Sequence, residues 1–419
     1  MGELDPFPYR RGKLFCEDVP VAEIARKTGT PFYLYSQSAL EQQFLAFDQA
    51  FASIPHLTCY AVKANSNLAI LSLFRGLGAG FDTVSKGEMM RALTAGAEPA
   101  KIVFSGVGKT EDEIDLGLQR GIMQFNVESA AELRKLEARA RALGKTANIA
   151  LRVNPGVDAR THPAIATGMS HHKFGIAAGD ALEMYRRASR SRHLRITGVA
   201  CHIGSQITQV EPFQAALRQL RGIFLHLRAQ SVPVRHLDLG GGLGIVYNDE
   251  NPPLPREYAH AILPLLRDID CMLMLEPGRV IVGNGGILVT RVVFTKQNGR
   301  KNFIVVDAGM NDLIRPSLYG SNHRIQAVAP GRRRTWTADV VGPICESGDF
   351  FARDRHMPIV KEGELLAIMS AGAYGFVLAS NYNSRTRPPE VLVRKHRVKV
   401  IRKREQFQDL TRGESLQPL

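Results

Sequence analysis

The segment TCYAVKAN (58–65) shows the feature that best indicates the fold, a short apolar run that ends in a lysine and an asparagine. Helix-like stretches separate it from similar runs further along. With TCYAVKAN there are eight such runs, the others being AGFDTVS (79–85), KIVFSG (101–106), MQFNVES (123–129), NIALRVNPG (148–156), ITGVACHIGS (196–205), VRHLDLGGG (234–242) and DCMLMLEPGR (270–279). Eight strand–helix alternations predict an α/β fold, a TIM-like (β/α)8 barrel.

Polar side chains and glycines collect at the C-terminal ends of these predicted strands. They are Lys63, Asn65, Asp82, Ser85, Asn154, His202, Ser205, Gly240, Gly241, Gly242, Glu276 and Arg279. Active sites of (β/α)8 barrels lie at this end of the strands. Position within each segment therefore predicts an active site at the C-terminal face of the barrel.

Helix boundaries between the strands are also marked. Thr110, followed by three acidic residues, is a capping signal, and Ser129 opens an Ala/Leu/Arg/Glu-rich stretch that ends near Gly144. These signals predict two of the helices that cover the barrel.

After Arg279 the pattern changes to strands with few helical signals. GILVTRVVFTKQNGRKNFIVVDAG (286–309) reads as a hairpin around Asn298-Gly299, and further strands are predicted in 335–344, 363–372 and 389–400. We therefore expect a mostly antiparallel C-terminal β domain. The predicted organisation is an N-terminal segment (1–36) that packs with the β domain, the barrel (37–280) and the β domain (281–419).

Length and composition agree with two globular domains. The chain has 419 residues, of which 44% are hydrophobic and 22% charged. No apolar run is long enough to span a bilayer, and the N-terminus does not resemble a secretory signal. Five scattered cysteines without a C-x-x-C pair favour a reducing compartment, so a cytoplasmic protein without a metal site or membrane partner is expected.

The net charge of +14 leaves several interpretations open. The segment VRKHRVKVIRKRE (393–405) is typical of a surface that binds nucleic acid, or simply of a solvated strand face. No aromatic platform or nucleic-acid motif accompanies it, so no nucleic-acid partner is expected. A positive field could equally attract a substrate that carries carboxylates.

Two glycine-rich segments do not complete the nucleotide motifs that they suggest. GVGKT (106–110) lacks the first glycine of a P-loop, because Val103 occupies that position. GGGLG (240–244) fails the dinucleotide spacing at Ile245. The glycine run after a strand can still form a phosphate-binding turn, or only a tight β–α turn.

Six motifs together resemble those of the fold-type III pyridoxal-phosphate (PLP) decarboxylases, and among them the diaminopimelate decarboxylases. They are YAVKAN (60–65), HIGSQ (202–206), LGGGLG (239–244), EPGR (276–279), GPICESGD (342–349) and SAGAYG (370–375). The resemblance extends from PFYLYS (31–36) to NYNSR (381–385). It implies decarboxylation of meso-2,6-diaminopimelate at its D centre to L-lysine, the last step of lysine biosynthesis.

The resemblance implies specific roles around PLP. Lys63 would carry the cofactor as a Schiff base, His202 would stack on its ring, and Glu276 would keep the ring nitrogen protonated, where related racemases place an arginine. The implied cofactor-binding set is Lys63, Asp82, His202, Ser205, Gly240, Gly241, Gly242, Glu276, Pro277, Gly278, Arg279 and Tyr374.

The resemblance also implies how the amino-acid substrate is bound. Arg279, Arg315 and Tyr319 would bind its distal carboxylate, Glu346 its distal ammonium, and Tyr374 would contribute to the same site. Cys345 would reach the active site of the other subunit of a homodimer and donate a proton there. The implied catalytic residues are Lys63, Cys345, Glu276 and His202.

Alternatives remain at the level of residues and of function. Lys63 could lie at the wet end of a strand, Glu276 could cap a turn, His202 could be a core histidine, and Cys345 a buried apolar residue. Tyr374 could be a packed aromatic and Arg315 an exposed residue of a capped turn. The alternative functions are a related decarboxylase of ornithine, arginine, D-ornithine or lysine, or carboxynorspermidine, and a catalytically dead binding homologue.

Overall fold

The computed structural model describes residues 5–159, 161–162, 165, 167, 173–331 and 333–417. The chain forms two compact units. One consists of Gln43–Ile245 and Asn251–Val280, and the other of Met1–Gln42, Val246–Glu250 and Ile281–Leu419.

The N-terminal part contains short strands and two helices. Its elements are β1 (Tyr9–Arg10), β2 (Lys13–Cys16), β3 (Val19–Pro20), α1 (Val21–Thr28), β4 (Phe32–Ser36) and α2 (Gln37–Gln49). β4 is completely buried, which fits its continuous apolar sequence.

Alternating strands and helices follow. They are β5 (His56–Ala61), α3 (Leu68–Gly76), β6 (Gly80–Thr83), α4 (Lys86–Thr94), β7 (Ile102–Phe104), α5 (Glu111–Arg120), β8 (Gln124–Val127), α6 (Ala130–Ala142), β9 (Ala147–Asn154), β10 (Ile176–Ala177), α7 (Ala178–Ala188), β11 (Leu194–Ala200), α8 (Glu211–Ala229), β12 (His236–Asp238), α9 (Pro255–Ile262), β13 (Met272–Leu275) and α10 (Arg279–Val282). Each of the eight predicted strand segments overlaps one of these strands, which confirms the pattern seen in the sequence.

Eight of these strands close into a parallel barrel. Their order is β9-β11-β12-β13-β5-β6-β7-β8, the pairing of β8 with β9 completes the ring, and β10 pairs only with β9. The capping signals also hold, because Thr110 forms a capping box with Glu113 and the Ser129 side chain accepts the Glu132 amide. The predicted (β/α)8 barrel is confirmed.

The rest of the chain builds a second sheet. Its elements are β14 (Gly286–Asn298), β15 (Lys301–Val306), α11 (Arg315–Tyr319), β16 (Ile325–Ala327), β17 (Thr335–Val341), β18 (Phe350–Pro358), β19 (Leu365–Ile368), β20 (Glu390–Arg394), β21 (Arg397–Arg402) and α12 (Phe407–Leu410). β14 pairs antiparallel with β4, β15 and β19, and the hairpin turns at Asn298-Gly299 as predicted. Parallel pairs join β4 to β20 and β15 to β17, so the sheet is mostly antiparallel.

The core of this second unit packs apolar side chains from β4 and β14 against the N-terminal strands and helix. Leu34, Ile287 and Val391 belong to one buried cluster with Leu14 and Ile24. Within the described part of the chain, no helix has the length and apolar character needed to cross a bilayer.

A close approach inside the barrel gives a test of the packing. A Cβ at Gly198 would lie 2.5 Å from the His236 carbonyl oxygen, whereas a Cβ at Gly222 in α8 meets nothing within 4 Å. Gly198→Ala is expected to destabilise the protein by about 1–3 kcal/mol through forced backbone movement. Gly222→Ala is the control and should stabilise it by about 0.5–1 kcal/mol. Urea denaturation followed by circular dichroism measures both, and an unchanged midpoint for Gly198→Ala would contradict the packing.

Candidate active site

Lys63 lies directly after the first barrel strand, in a single 3-10 turn (Val62–Ala64). Its Nζ donates to Asp82 Oδ2 at 2.5 Å, and the Asp82 side chain is fully buried in the neighbouring strand β6. The Lys63 side chain is 31% exposed, so its amine is at the edge of the barrel interior. The lysine that the sequence singled out is thus held by a buried carboxylate.

Two further carboxyl groups come from β12 and β13, the two strands that precede β5 in the order of the ring. Asp238 ends β12, and Glu276 follows β13. Both are buried, and their side chains hydrogen bond to each other. Because β12, β13, β5 and β6 are consecutive in the barrel, four adjacent strands place Asp238, Glu276, Lys63 and Asp82.

Burial and mutual repulsion change the proton affinity of this carboxyl pair. Burial raises the pKa of Glu276 well above its usual range, and the charges of Asp238 and Asp82 raise it further. Burial likewise raises the pKa of Asp238, although bonds from the Gly240 amide and the Asn126 side chain oppose this effect. The pair therefore retains a proton at a pH where isolated carboxyl groups have lost theirs.

His202 packs beside the glycine turn that follows β12. The Gly241 amide donates to His202 Nδ1 at 3.1 Å, so a neutral ring carries its proton on Nε2. Burial, with the nearby Arg152 and Lys63, lowers the pKa of His202 well below its usual value, which keeps the ring neutral. The Gly240 amide donates to Asp238 Oδ1 at 2.9 Å. Two amides of the glycine run are thus already hydrogen bonded within the protein.

The glycines of this turn allow close backbone contact. A Cβ at Gly241 would lie 2.1 Å from the Glu276 carbonyl oxygen, and Gly240 and Gly242 have positive φ angles of 68° and 120°. The EPGR segment (276–279) packs against the end of β5 and the turn that follows it. The Pro277 carbonyl accepts the Ala61 amide, and a Cβ at Gly278 would lie 3.0 Å from the Ala64 Cβ. Arg279 Nη2 donates to Ser205 Oγ at 2.9 Å.

In the second unit, Arg315 lies in an aromatic and polar enclosure. Its buried guanidinium lies over the Tyr247 ring at 5.0 Å and over the Tyr319 ring at 5.6 Å. Arg315 Nη2 donates to Ser321 Oγ at 3.1 Å, and Nε approaches His323 Nε2 at 3.4 Å. The arginine is therefore buried and oriented, rather than exposed in a capped turn.

Three other predicted residues of the second unit lie on loops. Cys345 and Glu346 are exposed, and the Cys345 amide donates to Asn383 Oδ1 at 2.9 Å. The hydrogen bond to Glu346 raises the pKa of the Tyr382 hydroxyl. Tyr374 is half-buried with a φ of 54°, a left-handed conformation that non-glycine residues rarely adopt. The interpretation of Cys345 as a buried apolar residue is wrong.

The sequence analysis missed several buried polar residues of the barrel. Asn126, Arg152 and Asp238 are polar residues inside apolar strands, and that contrast was the signal available. Lys109, from the P-loop-like segment, is buried and binds Glu132 Oε1 at 2.7 Å. In the described residues, no group of three or more His, Cys, Asp or Glu side chains is arranged to hold a metal ion.

The chain is similar to known proteins along almost its whole length. The family described as pyridoxal-dependent decarboxylase, pyridoxal binding domain, matches residues 37–283. Diaminopimelate decarboxylase of Pseudomonas aeruginosa is 52% identical over 415 residues, which cover 99% of this chain and 100% of that protein. The Vibrio cholerae diaminopimelate decarboxylase is 49% identical over 417 residues, with 99% and 100% covered.

Solved structures show the same similarity. Diaminopimelate decarboxylase from Helicobacter pylori, complexed with L-lysine, superimposes with a TM-score of 0.91 at 45% identity, with 94% of this chain and 98% of that chain covered. The enzyme from M. jannaschii in complex with L-lysine gives a TM-score of 0.95 at 36% identity, with 100% and 99% covered.

Glu88, at the start of α4, gives a test of the local electrostatics. The pKa of Glu88 is raised to about 7, chiefly by burial; the Asp82 charge adds to this rise, and the Val84 amide and Lys63 oppose it. The folded protein therefore binds this proton more tightly than the unfolded chain, and the resulting stabilisation is lost as the pH rises through 7. Without bound PLP, the denaturation midpoint of Glu88→Gln should rise relative to that of the wild type as the pH increases from 5 to 8.

The control for this experiment is Glu98→Gln, which changes an exposed carboxylate whose ion pair with Lys101 lies at the surface. Its midpoint should follow the wild type across the same pH range. A constant difference between Glu88→Gln and wild type would show that the Glu88 carboxyl is not perturbed.

Proposed function

Because the chain belongs to the diaminopimelate decarboxylases, a family of pyridoxal-dependent enzymes, we propose that it decarboxylates meso-2,6-diaminopimelate at its D centre to L-lysine and CO2. The cofactor is pyridoxal 5'-phosphate. The observation that carries the proposal is the placement of Lys63, Asp82, Asp238 and Glu276 on four consecutive barrel strands.

The barrel residues fit this cofactor. Asp82 Oδ1 is buried and has no hydrogen-bond partner among the described residues, so the pair that Asp82 forms with Lys63 is incompletely satisfied. A polar ligand would relieve this deficit. His202 offers a neutral ring, and the turn at Gly241 has no side chain that would obstruct a ligand.

Lys63 and Glu276 would hold the two reactive ends of the cofactor. Lys63 would be the attachment point, and Asp82 would orient its amine. Glu276 would hold a proton at the ring nitrogen, since its raised pKa keeps a proton at this position when isolated carboxyl groups have lost theirs. When bound, pyridoxal phosphate supplies the electron sink for the electron pair released as CO2 leaves.

Other residues would bind and orient the cofactor. His202 would pack on one face of the ring, and a neutral imidazole adds no positive charge there. The remaining cofactor contacts are proposed for Ser205, Gly240, Gly241, Gly242, Pro277, Gly278, Arg279 and Tyr374. The Arg279–Ser205 hydrogen bond supports a shared role for these two side chains.

Arg315 is the residue proposed to select the substrate. Its guanidinium is buried against Tyr247 and Tyr319, which fixes the orientation in which it meets an anion. Diaminopimelate differs from ornithine in carrying a distal carboxylate, which a guanidinium binds bidentately. Arg279 and Tyr319 would share this carboxylate, Glu346 would contact the distal amino end, and Tyr374 would contribute to the same site.

We further propose a cytoplasmic homodimer with shared active sites, in which Cys345 donates a proton in the active site of the partner subunit. The exposure of Cys345 on a single chain supports this role, because a thiol that acts in trans must be accessible. All five cysteines are free, which is consistent with a reducing compartment.

A turnover panel tests the proposed substrate. We expect the wild-type enzyme to release CO2 from meso-diaminopimelate and to leave ornithine, arginine and lysine nearly unchanged. Arg315→Lys should raise KM for diaminopimelate by about 10- to 100-fold, because lysine cannot reproduce the planar fork. The same change at Arg300, in the exposed β14–β15 hairpin, should leave KM unchanged. Faster turnover of ornithine would refute the substrate assignment.

Mixing two inactive variants tests the shared active site. Lys63→Ala and Cys345→Ala should each be inactive alone, because each lacks one required side chain. Random exchange of subunits should restore about one quarter of wild-type activity, since half of the dimers are mixed and each of these has one intact site. If mass spectrometry detects mixed dimers that are inactive, Cys345 does not act in trans.

A further inference from the structure

One amide nitrogen inside the barrel contacts both carboxyl groups of the buried pair. Asn126 Nδ2 donates to Asp238 Oδ2 at 3.0 Å and to Glu276 Oε1 at 3.2 Å. Asn126 lies on β8, on the other side of the ring from β12 and β13. Its side chain therefore reaches across the barrel and fixes the two carboxyl groups against each other.

The orientation of the Asn126 amide is itself determined by a chain of hydrogen bonds. Asn126 Oδ1 accepts from Gln124 Nε2 at 2.8 Å, and Gln124 Oε1 lies 2.9 Å from the Thr197 hydroxyl and 3.0 Å from His236 Nδ1. Burial lowers the pKa of His236, so its ring is neutral and Nδ1 can donate. The amide of Asn126 cannot turn over without loss of the bond from Gln124.

The two carboxyl groups are not equivalent. Asp238 receives one hydrogen bond on each oxygen, from the Gly240 amide and from Asn126. Besides its hydrogen bond with Asp238, Glu276 shares the same Asn126 nitrogen and has a long contact of 3.5 Å with the Ser105 hydroxyl. Donors stabilise the ionised form, so the negative charge belongs on Asp238 and the shared proton on Glu276.

Charged and titratable groups from the neighbouring strands also act on the pair. They are Asp82, Lys63 and Arg152, with the thiols of Cys59 and Cys201 close by. Asp82 adds to the repulsion, whereas Lys63 and Arg152 oppose it. The charges of Lys63 and Arg152 are compensated by Asp82 and Glu128, which leaves Asp238 as the neighbour that most favours a proton on Glu276.

We propose that Asp238 is a positioning residue that stays ionised and keeps a proton on Glu276, so that Glu276 can deliver this proton to the ring nitrogen of the cofactor and hold it there. This inference rests on the proposed function, because it concerns the same cofactor. Glu276 releases one proton to the lone pair of the ring nitrogen and becomes a carboxylate beside a protonated ring. No oxidant or reductant is involved.

The proposal predicts how Asp238→Asn alters the holoenzyme. The asparagine has nearly the same shape and can keep a hydrogen bond to the turn, but it lacks the negative charge. In enzyme reconstituted with 15N-labelled pyridoxal phosphate, the ring-nitrogen chemical shift should report a protonated ring in wild type and a largely deprotonated ring in Asp238→Asn at pH 8. The value of kcat should fall by about 10- to 100-fold, a range typical of outer-shell partners, with little change in KM.

Thr197→Val is the matched control, because it removes a hydroxyl from the far end of the same hydrogen-bond chain without a change of charge. Its ring nitrogen should remain protonated as in wild type. A ring nitrogen that stays equally protonated in Asp238→Asn would overturn the proposal. The chemical-shift measurement requires no turnover, so it can contradict the role of Asp238 while the wild-type enzyme still decarboxylates diaminopimelate. Conversely, a wild-type enzyme that has the expected ring protonation but does not decarboxylate diaminopimelate would reject the substrate assignment and leave the role of Asp238 intact.

A second measurement covers the case in which Asp238→Asn does not retain the cofactor. In the full-length protein without cofactor, infrared difference spectroscopy against Glu276→Gln isolates the carbonyl band of a protonated Glu276. We expect this band at neutral pH in wild type and in Thr197→Val, and its loss in Asp238→Asn. Persistence of the band in Asp238→Asn would show that Asp238 does not hold the proton on Glu276.

Discussion

The proposed chemistry depends on a partly exposed lysine and three buried carboxyl groups at the ends of adjacent parallel strands. Burial of separate charges costs several kcal/mol per ion unless partners compensate them. Here Lys63 neutralises Asp82, and a shared proton reduces the charge of Asp238 and Glu276. A closed barrel can hold such a group because its backbone hydrogen bonds fix the distances between neighbouring strands.

Other buried charges of the barrel have a different character. Lys109 is enclosed by Glu132 and two backbone carbonyls, and Arg152 binds Glu128, which also accepts the amides of Gly106 and Gly175. These groups hold loops in place and have close partners in the protein itself. Asp82 differs, since one of its buried oxygens has no hydrogen-bond partner in the described residues. An incompletely satisfied carboxylate beside a partly accessible lysine is what distinguishes a reactive site from a structural ion pair.

The second unit contributes recognition rather than electron chemistry in the proposed mechanism. Arg315 is fixed by two tyrosine rings and by Ser321, so the loss of side-chain entropy on binding an anion is small. The left-handed backbone of Tyr374 indicates a local conformation that the surrounding fold imposes. The proposed selection of a distal carboxylate therefore relies on pre-organised side chains on a β scaffold.

The sequence by itself determined the barrel, the β-rich second unit and the positions of Lys63, Glu276 and His202 at strand ends, because strand periodicity, turn residues and capping signals are local properties. It did not identify Asp238 or Asn126, whose importance arises from contacts between segments that are 112 and 150 residues apart. Nor could it show that Lys109 is enclosed by Glu132, or that the amides of Gly240 and Gly241 are engaged by Asp238 and His202. Only closure of the ring brings β8 opposite β12 and β13, and hydrogen bonds across a barrel interior follow from that closure rather than from any pattern along the chain.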